Sequence, residues 1–344
     1  MQSLAQPIKA RAPAKLIVSG EHAVVYGNPA LAIALDCYAE SMISNKQTTG
    51  IGFQLVNIPY IKELSLQTLL TLKQRLQKDY GRFLQGKCSL SEVLTTPFEL
   101  LQYTVMILLE QLRTPLRRGM QIQNASYIPI GCGLGSSAAS IMSTLLALQH
   151  FFKLSLTAAE LLALAKESEN LQHGRSSGVD LHMSLHGGFA YFTAGKMASR
   201  ASSRAPLYLV LTGTPLSNTG ECVESVRHIL TQGSLLKDFE AVTNYIDVAF
   251  QSNNIPAIEQ GIHANHELLV ALNVVPQRVQ SFIKKLNAID AVAKVCGAGA
   301  VRGENAGALL VVSQTPMALL KKITDSFGYT IQKITIDNLG ARLV

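Results

Sequence analysis

The sequence predicts two domains, an α/β unit followed by a compact α+β unit. Three observations point there. The chain has 344 residues, and at about 100 to 200 residues per domain that length divides into roughly two units, each able to bury a core. The N-terminal part alternates short apolar runs with Gly, Asn and Pro turns, then changes to helical spacing. In the C-terminal part, strand-like runs from non-adjacent segments are separated by helices.

The elements follow in order. Residues 17–18, 23–26 and 30–35 read as short strands joined by turns at Gly20 and at Gly27-Asn28-Pro29. Leu66, Leu69, Leu70 and Leu76 share one helical face, so a helix is predicted over 66–80 with Gly81 as its stop. A second helix runs from Pro97, well placed in a first turn, to Leu112. Residues 127–135 form a glycine-rich loop, and Ser136 opens an amphipathic helix carrying Ala138, Ile141, Met142, Leu145 and Leu146 on one face. Thr157-Ala158-Ala159-Glu160 is a capping box that starts a helix ending at His173 and Gly174. A strand over 189–193 follows. The Ser/Ala/Arg-rich stretch 198–205 is the linker candidate, dividing the chain into 1–200 and 201–344. Beyond it come a strand (207–211), helices (238–251, 256–272, 277–287), strands (291–296, 307–313), a helix (315–325) and a strand (329–336).

Composition removes several classes. With 48% apolar and 15% charged residues, the chain is neither disordered nor of low complexity. No run reaches the ~18 apolar residues of a membrane span, and the first residues carry no apolar signal region, so a cytoplasmic protein is expected, with no membrane partner. The five cysteines, Cys37, Cys88, Cys132, Cys222 and Cys296, never fall in CxxC spacing, which argues against a disulfide framework and a zinc site. The net charge of +7 comes without a basic run or an aromatic-interleaved stripe, so nucleic acid is not expected as a partner and anionic small molecules suit it equally.

Chemistry concentrates in three places. Gly131-Cys132-Gly133-Leu134-Gly135-Ser136-Ser137-Ala138 brings backbone N–H groups together without Cβ obstruction and leads into a helix N-terminus, a combination suited to phosphate. The bland alternative is a tight turn. No Walker-type G-x-x-x-x-G-K-[ST] occurs. Gly133 to Ala138 also matches G-x-G-x-x-A, which keeps a dinucleotide-dependent oxidoreductase as an alternative, although Ile128-Pro129-Ile130 is a poor strand and Glu160, about twenty residues on, is helical. Lys15, Glu21 and His22 interrupt an apolar strand-turn-strand; they either face solvent at a strand end or are buried with partners. Glu169 and His173 share a helical face, with Asp180 on the loop beyond. His182 and His186 lack the Glu of H-E-x-x-H and precede Gly187-Gly188, so a zinc hydrolase is not expected.

GEHAVVYGNPALA, PIGCGLGSSAAS and KVCGAGA, in that order over residues 10–313, resemble the GHMP kinase superfamily. The Glu21-His22-Ala23-Val24-Val25-Tyr26-Gly27 version is similar to the branch acting on mevalonate. The resemblance implies a two-domain fold, with a ribosomal protein S5 domain 2-like ATP-binding domain (1–200) and a ferredoxin-like C-terminal domain (201–344). It implies ATP- and Mg²⁺-dependent phosphorylation of the 5-hydroxyl of mevalonate in isoprenoid biosynthesis; sister branches act on phosphomevalonate, sugars or homoserine. Ser137 and Glu169 then match Mg²⁺ ligands, and Gly131 to Ala138 match the ATP phosphate cradle. Asp180 matches the proposed base and Lys15 the lysine beside it. Glu21 and His22 match residues lining the substrate site, and Gly297, Ala298 and Gly299 a supporting turn. A homodimer is compatible with all of this. Three positions depart from the family pattern: Ala14, Ser176 and the stretch 300–307, where Arg302 and Glu304 stand in place of a glycine run. Arg302 and Glu304 are expected on a solvated turn; the sharper alternative has Arg302 reaching an anionic group of the substrate.

Overall fold

The computed structural model describes residues 6–112, 116, 118–201, 203–232 and 234–344. The first part of the chain runs β1 (Ile8–Ser19), β2 (Ala30–Asn45), β3 (Ile51–Leu55), β4 (Tyr60–Leu64), α1 (Leu66–Leu84), α2 (Glu99–Leu109), β5 (Met120–Ser126), α3 (Ser136–Phe151), α4 (Ala158–His173), α5 (Val179–His186), β6 (Phe189–Thr193) and β7 (Lys196–Arg200). The second runs β8 (Leu207–Leu211), α6 (Thr219–Gln232), α7 (Leu235–Gln251), α8 (Ile255–Ala271), α9 (Gln277–Asn287), β9 (Val292–Val295), β10 (Ala308–Val312), α10 (Met317–Ser326), β11 (Thr330–Lys333) and β12 (Arg342–Leu343).

Two sheets result. The larger has the order β12-β1-β2-β5-β3-β4, with β6 bridging β2 and β7. Its pairs are antiparallel except β3 with β5. The smaller, β11-β8-β10-β9, is antiparallel throughout. Chain order and spatial order together make it the split βαβ arrangement of a ferredoxin-like unit, as expected. The last strand crosses back: Ala10 and Arg11 of β1 pair with Leu343 and Arg342.

Core packing explains why the site's elements are rigid. α3 lies on β1 and β2, where Ala138, Ile141, Met142 and Leu145 are buried with Leu16, Ile33 and Ile43. Each large apolar side chain buried this way contributes about 1.5–3 kcal/mol. A second core holds Val210, Phe239, Leu269, Phe282 and Leu309 between the smaller sheet and its helices. Among the described residues no helix is long and apolar enough to cross a membrane.

Several local expectations are corrected. Residues Ala23–Tyr26 form a 3-10 turn, not a strand; four apolar residues are too few for periodicity to decide. α1 runs through Gly81 to Leu84, because the buried Leu69 and Leu76 anchor the helix against the ~1 kcal/mol that an interior glycine costs. Of the linker stretch, residues up to Arg200 belong to β7, and Ser202 lies outside the described residues. Asp180 sits in the first turn of α5 and not on a loop. β3, β4, β5, β12, α5 and α6 carried no sequence expectation.

Candidate active site

The glycine loop closes between the two units. Gly131, Gly133 and Gly135 all have φ near the left-handed region, at 74, 78 and 73°. A side chain on Gly133 would stand 3.0 Å from the Cys296 carbonyl oxygen, and one on Gly135 would stand 2.9 Å from Cγ of Lys15. The intervening residues anchor the loop: the Cys132 carbonyl accepts from the Ala308 N–H (3.1 Å), and the Leu134 carbonyl accepts from the Lys15 N–H (2.9 Å). Gly135 caps α3 without a side-chain hydrogen bond, so the helix N-terminus keeps unpaired N–H groups and its partial positive charge for a ligand. Ser136 shares a hydrogen bond with Ser126 (2.9 Å). Ala138 lies on the buried face of α3, and neither it nor Cys132 lines the cleft. Ser137 and the three loop glycines line a cleft of about 380 Å³.

Lys15 and Asp180 meet beside this loop. Lys15 is 3% exposed on β1. Its Nζ donates to the Gly133 carbonyl (3.0 Å) and lies 3.2 Å from Asp180 Oδ1. The reading that left Lys15 in solvent is therefore set aside, and its partner is Asp180. The α5 N-terminus carrying Asp180 favours a negative charge there.

Glu169, on α4, reaches the same cleft. Its Oε2 accepts from the Ser176 hydroxyl, while Oε1 is buried with no partner. Burial, and then the nearby negative charge of Asp180, push its pKa up to about 8; Ser176 and Lys15 oppose the rise. An orphaned carboxylate oxygen close to a second carboxylate is an environment that a hard cation relieves. Among the described residues no group of three or more His, Cys, Asp and Glu side chains could hold a metal. Mg²⁺ commonly takes only one or two protein oxygens and completes its shell with water and phosphate, so Glu169 and Ser137 suit it. His173, on the same helical face, lines the cleft, and burial lowers its pKa.

Glu21 and His22 close the other side. His22 holds a left-handed backbone (φ 59°) and is buried, and burial lowers its pKa to about 4. The ring is thus neutral near pH 7, and Nε2 donates to the Ala298 carbonyl (3.1 Å). Glu21 is 1% exposed and paired with Lys294. Gly297 and Ala298 line the cleft; Gly299 instead packs on the Val274 carbonyl, outside the lining.

Sequence reasoning missed Lys294 and the role of Ser176. A lone lysine inside the apolar run 291–296 was the available signal for the first. For the second there was none beyond its position near Asp180. Arg302 faces solvent and pairs with Glu221 (2.7 Å), and Glu304 pairs with Arg278 (3.0 Å). The solvated turn holds, and Arg302 does not enter the cleft. The dinucleotide alternative loses its context: β5 pairs antiparallel with β2, the strand after the loop (β6) also pairs antiparallel with β2, and Glu160 is spent in the Thr157 capping box.

Known proteins resemble this chain in sequence and fold. Residues 99–188 match the family model of the GHMP kinases N terminal domain. A mevalonate kinase from Pyrococcus horikoshii is 29% identical over 305 residues, covering 85% of this chain and 86% of that protein. The crystal structure of the Methanococcus jannaschii mevalonate kinase superposes with a TM-score of 0.78 at 23% identity, covering 98% of this chain and all of that one (100%). That of L. major mevalonate kinase in complex with R-mevalonate gives 0.70 at 20% identity, covering 99% of this chain and 100% of that one.

Proposed function

We propose that this chain, which belongs to the GHMP kinase superfamily, transfers the γ-phosphoryl group of ATP to the 5-hydroxyl of mevalonate. The chemistry rests on one observation, the Lys15–Asp180 pair beside the glycine loop. The acceptor follows from the relatives, which are mevalonate kinases of nearly the same length. On this reading residues 1–200 form the ATP-binding domain and 201–344 the C-terminal domain, and the reaction takes place in the cytoplasm.

A primary alcohol is a weak nucleophile. Asp180 accepts its proton as the oxygen attacks the γ-phosphorus; the new O–P bond forms, the bond to the β-phosphate oxygen breaks, and ADP leaves. Lys15, held by the Gly133 carbonyl, offsets negative charge developing between donor and acceptor. The N–H groups of the loop and of the first turn of α3 cradle the phosphates. Mg²⁺, held by Ser137 and Glu169, would neutralise phosphate charge.

The test is ADP release by the purified protein with Mg·ATP and a panel of alcohols. Mevalonate is expected to give the highest kcat/KM among mevalonate, phosphomevalonate, galactose and homoserine. Preference for another alcohol would reassign the acceptor, and no ADP release with any would refute phosphoryl transfer.

A further inference from the structure

One ion pair lies wholly inside the protein and joins the two sheets' units. Lys294, on β9, is 0% exposed; its Nζ bonds Glu21 Oε1 and lies 3.4 Å from the Ile17 carbonyl oxygen. Glu21 follows β1. Two buried charges are costly to desolvate, and apolar residues of equal volume often hold a fold as well, so stability alone accounts poorly for the pair.

The surroundings supply another account. Glu21 Oε2 and His22 Nδ1 are both buried and unpartnered, and both residues line the cleft. Because His22 is neutral and donates through Nε2 to Ala298, its Nδ1 is an acceptor. The turn therefore presents two unfilled acceptors. Both its anchors come from one short segment of the second unit, Lys294 and Ala298.

We propose that Lys294 is a positioning residue: by holding Glu21 it fixes the Gly20–His22 turn, so that Glu21 Oε2 and His22 Nδ1 meet hydroxyl donors of the alcohol substrate. This rests on the phosphotransferase reading above and adds to it the residue that orients the acceptor. The charged and titratable groups around the Glu21–Lys294 pair are His22, Lys15, the Cys296 thiol and, beside Lys294, His266 of α8. Burial favours neutral Glu21 and Lys294 favours its carboxylate, so loss of Lys294 leaves a carboxyl that ionises only at higher pH.

The experiment compares Lys294→Met, Lys294→Arg, Glu21→Gln and the Glu21→Gln/Lys294→Met double variant with the unaltered protein. Turnover of mevalonate by the unaltered protein is measured first. If another alcohol is preferred, the functional reading changes and that alcohol serves in the comparison. Lys294→Met is expected to raise the acceptor KM at least about tenfold while the ATP KM stays within about twofold. Its kcat/KM should gain a limb rising with pH that the double variant lacks, and Lys294→Arg should restore part of the loss. Hydrogen exchange, which needs no turnover, should quicken at residues 20–22 in Lys294→Met and stay unchanged in α3. An unchanged acceptor KM and pH profile, or equal rises in both KM values with a uniform gain in exchange, would overturn the proposal. Should Lys294→Met fail to fold, the double variant and the isosteric Glu21→Gln carry the test. Either is expected to raise the acceptor KM, and an unaltered KM in both refutes the role.

Discussion

At the scale of single residues, the cleft sorts its carboxyls by environment. Asp180 is partly exposed and touches Lys15, whereas Glu169 is buried with one oxygen orphaned. Asp180→Asn should lower kcat by at least ~10² with the ATP KM little changed, the scale expected for loss of a general base. Steady-state kinetics checks it, and near-normal turnover would remove Asp180 from the mechanism. For Glu169 the sign of the linkage is distinctive. Its folded pKa, about 8, lies above the ordinary 4.5, so the folded protein holds a proton that the unfolded chain has released. Its contribution to stability is complete below about pH 4.5 and is lost as pH rises towards about 8. Without Mg²⁺, the Tm of the unaltered protein should fall relative to Glu169→Gln across that window, and Mg²⁺ should offset the fall near pH 8. Parallel Tm curves with and without the metal would count against Glu169 as a ligand.

At the scale of elements, the glycine loop is shaped by what it packs against. Gly133 faces the Cys296 carbonyl and the Gly297 backbone, so a Cβ there meets main chain that cannot swing aside. Gly133→Ala adds that contact to a left-handed φ, at a cost of about 1–3 kcal/mol. It should also raise the ATP KM more than the acceptor KM, as thermal unfolding and kinetics together would show; a variant matching the parent in both would mean the loop tolerates the strain. Legibility at this scale followed periodicity and capping. The capping box at Thr157 and the helix from Ser136 stood out in the sequence and are present. β4 was hidden because Ile61, Lys62 and Glu63 are all exposed, which erases the alternation that marks a half-buried strand. β5 does alternate, with Met120 and Ile122 buried between the half-buried Gln121 and Gln123, but the pattern is only four residues long before the inward Asn124, which donates to Ser41 Oγ, breaks it.

At the scale of the whole molecule, the two units are tied by polar contacts as well as by core. Arg200 at the end of β7 forms a two-point ion pair with Asp247 of α7, at 2.7 and 2.9 Å. Arg200→Ala should cost about 1–3 kcal/mol, because the partly buried Asp247 loses its fork of charged donors. A lowered Tm with little change in kcat would place the pair in domain docking, and an unchanged Tm would show it to be idle. The sequence by itself determined the two-unit architecture and the glycine loop leading into a helix, and its resemblance to a family singled out Lys15, Glu21, His22, Glu169 and Asp180 as candidates. Glycine spacing and helical periodicity are local chemistry, which is why the first two were legible. Only the tertiary structure decided how those charges are paired. Lys15 meets Asp180 because α5 packs on β1, and Glu21 meets Lys294 because β9 of the second unit comes up against the turn after β1; sequence spacing carries no information about such contacts. The orientation of Arg302 was settled the same way, since Glu221, its partner on α6, comes from an element with no sequence signal of its own.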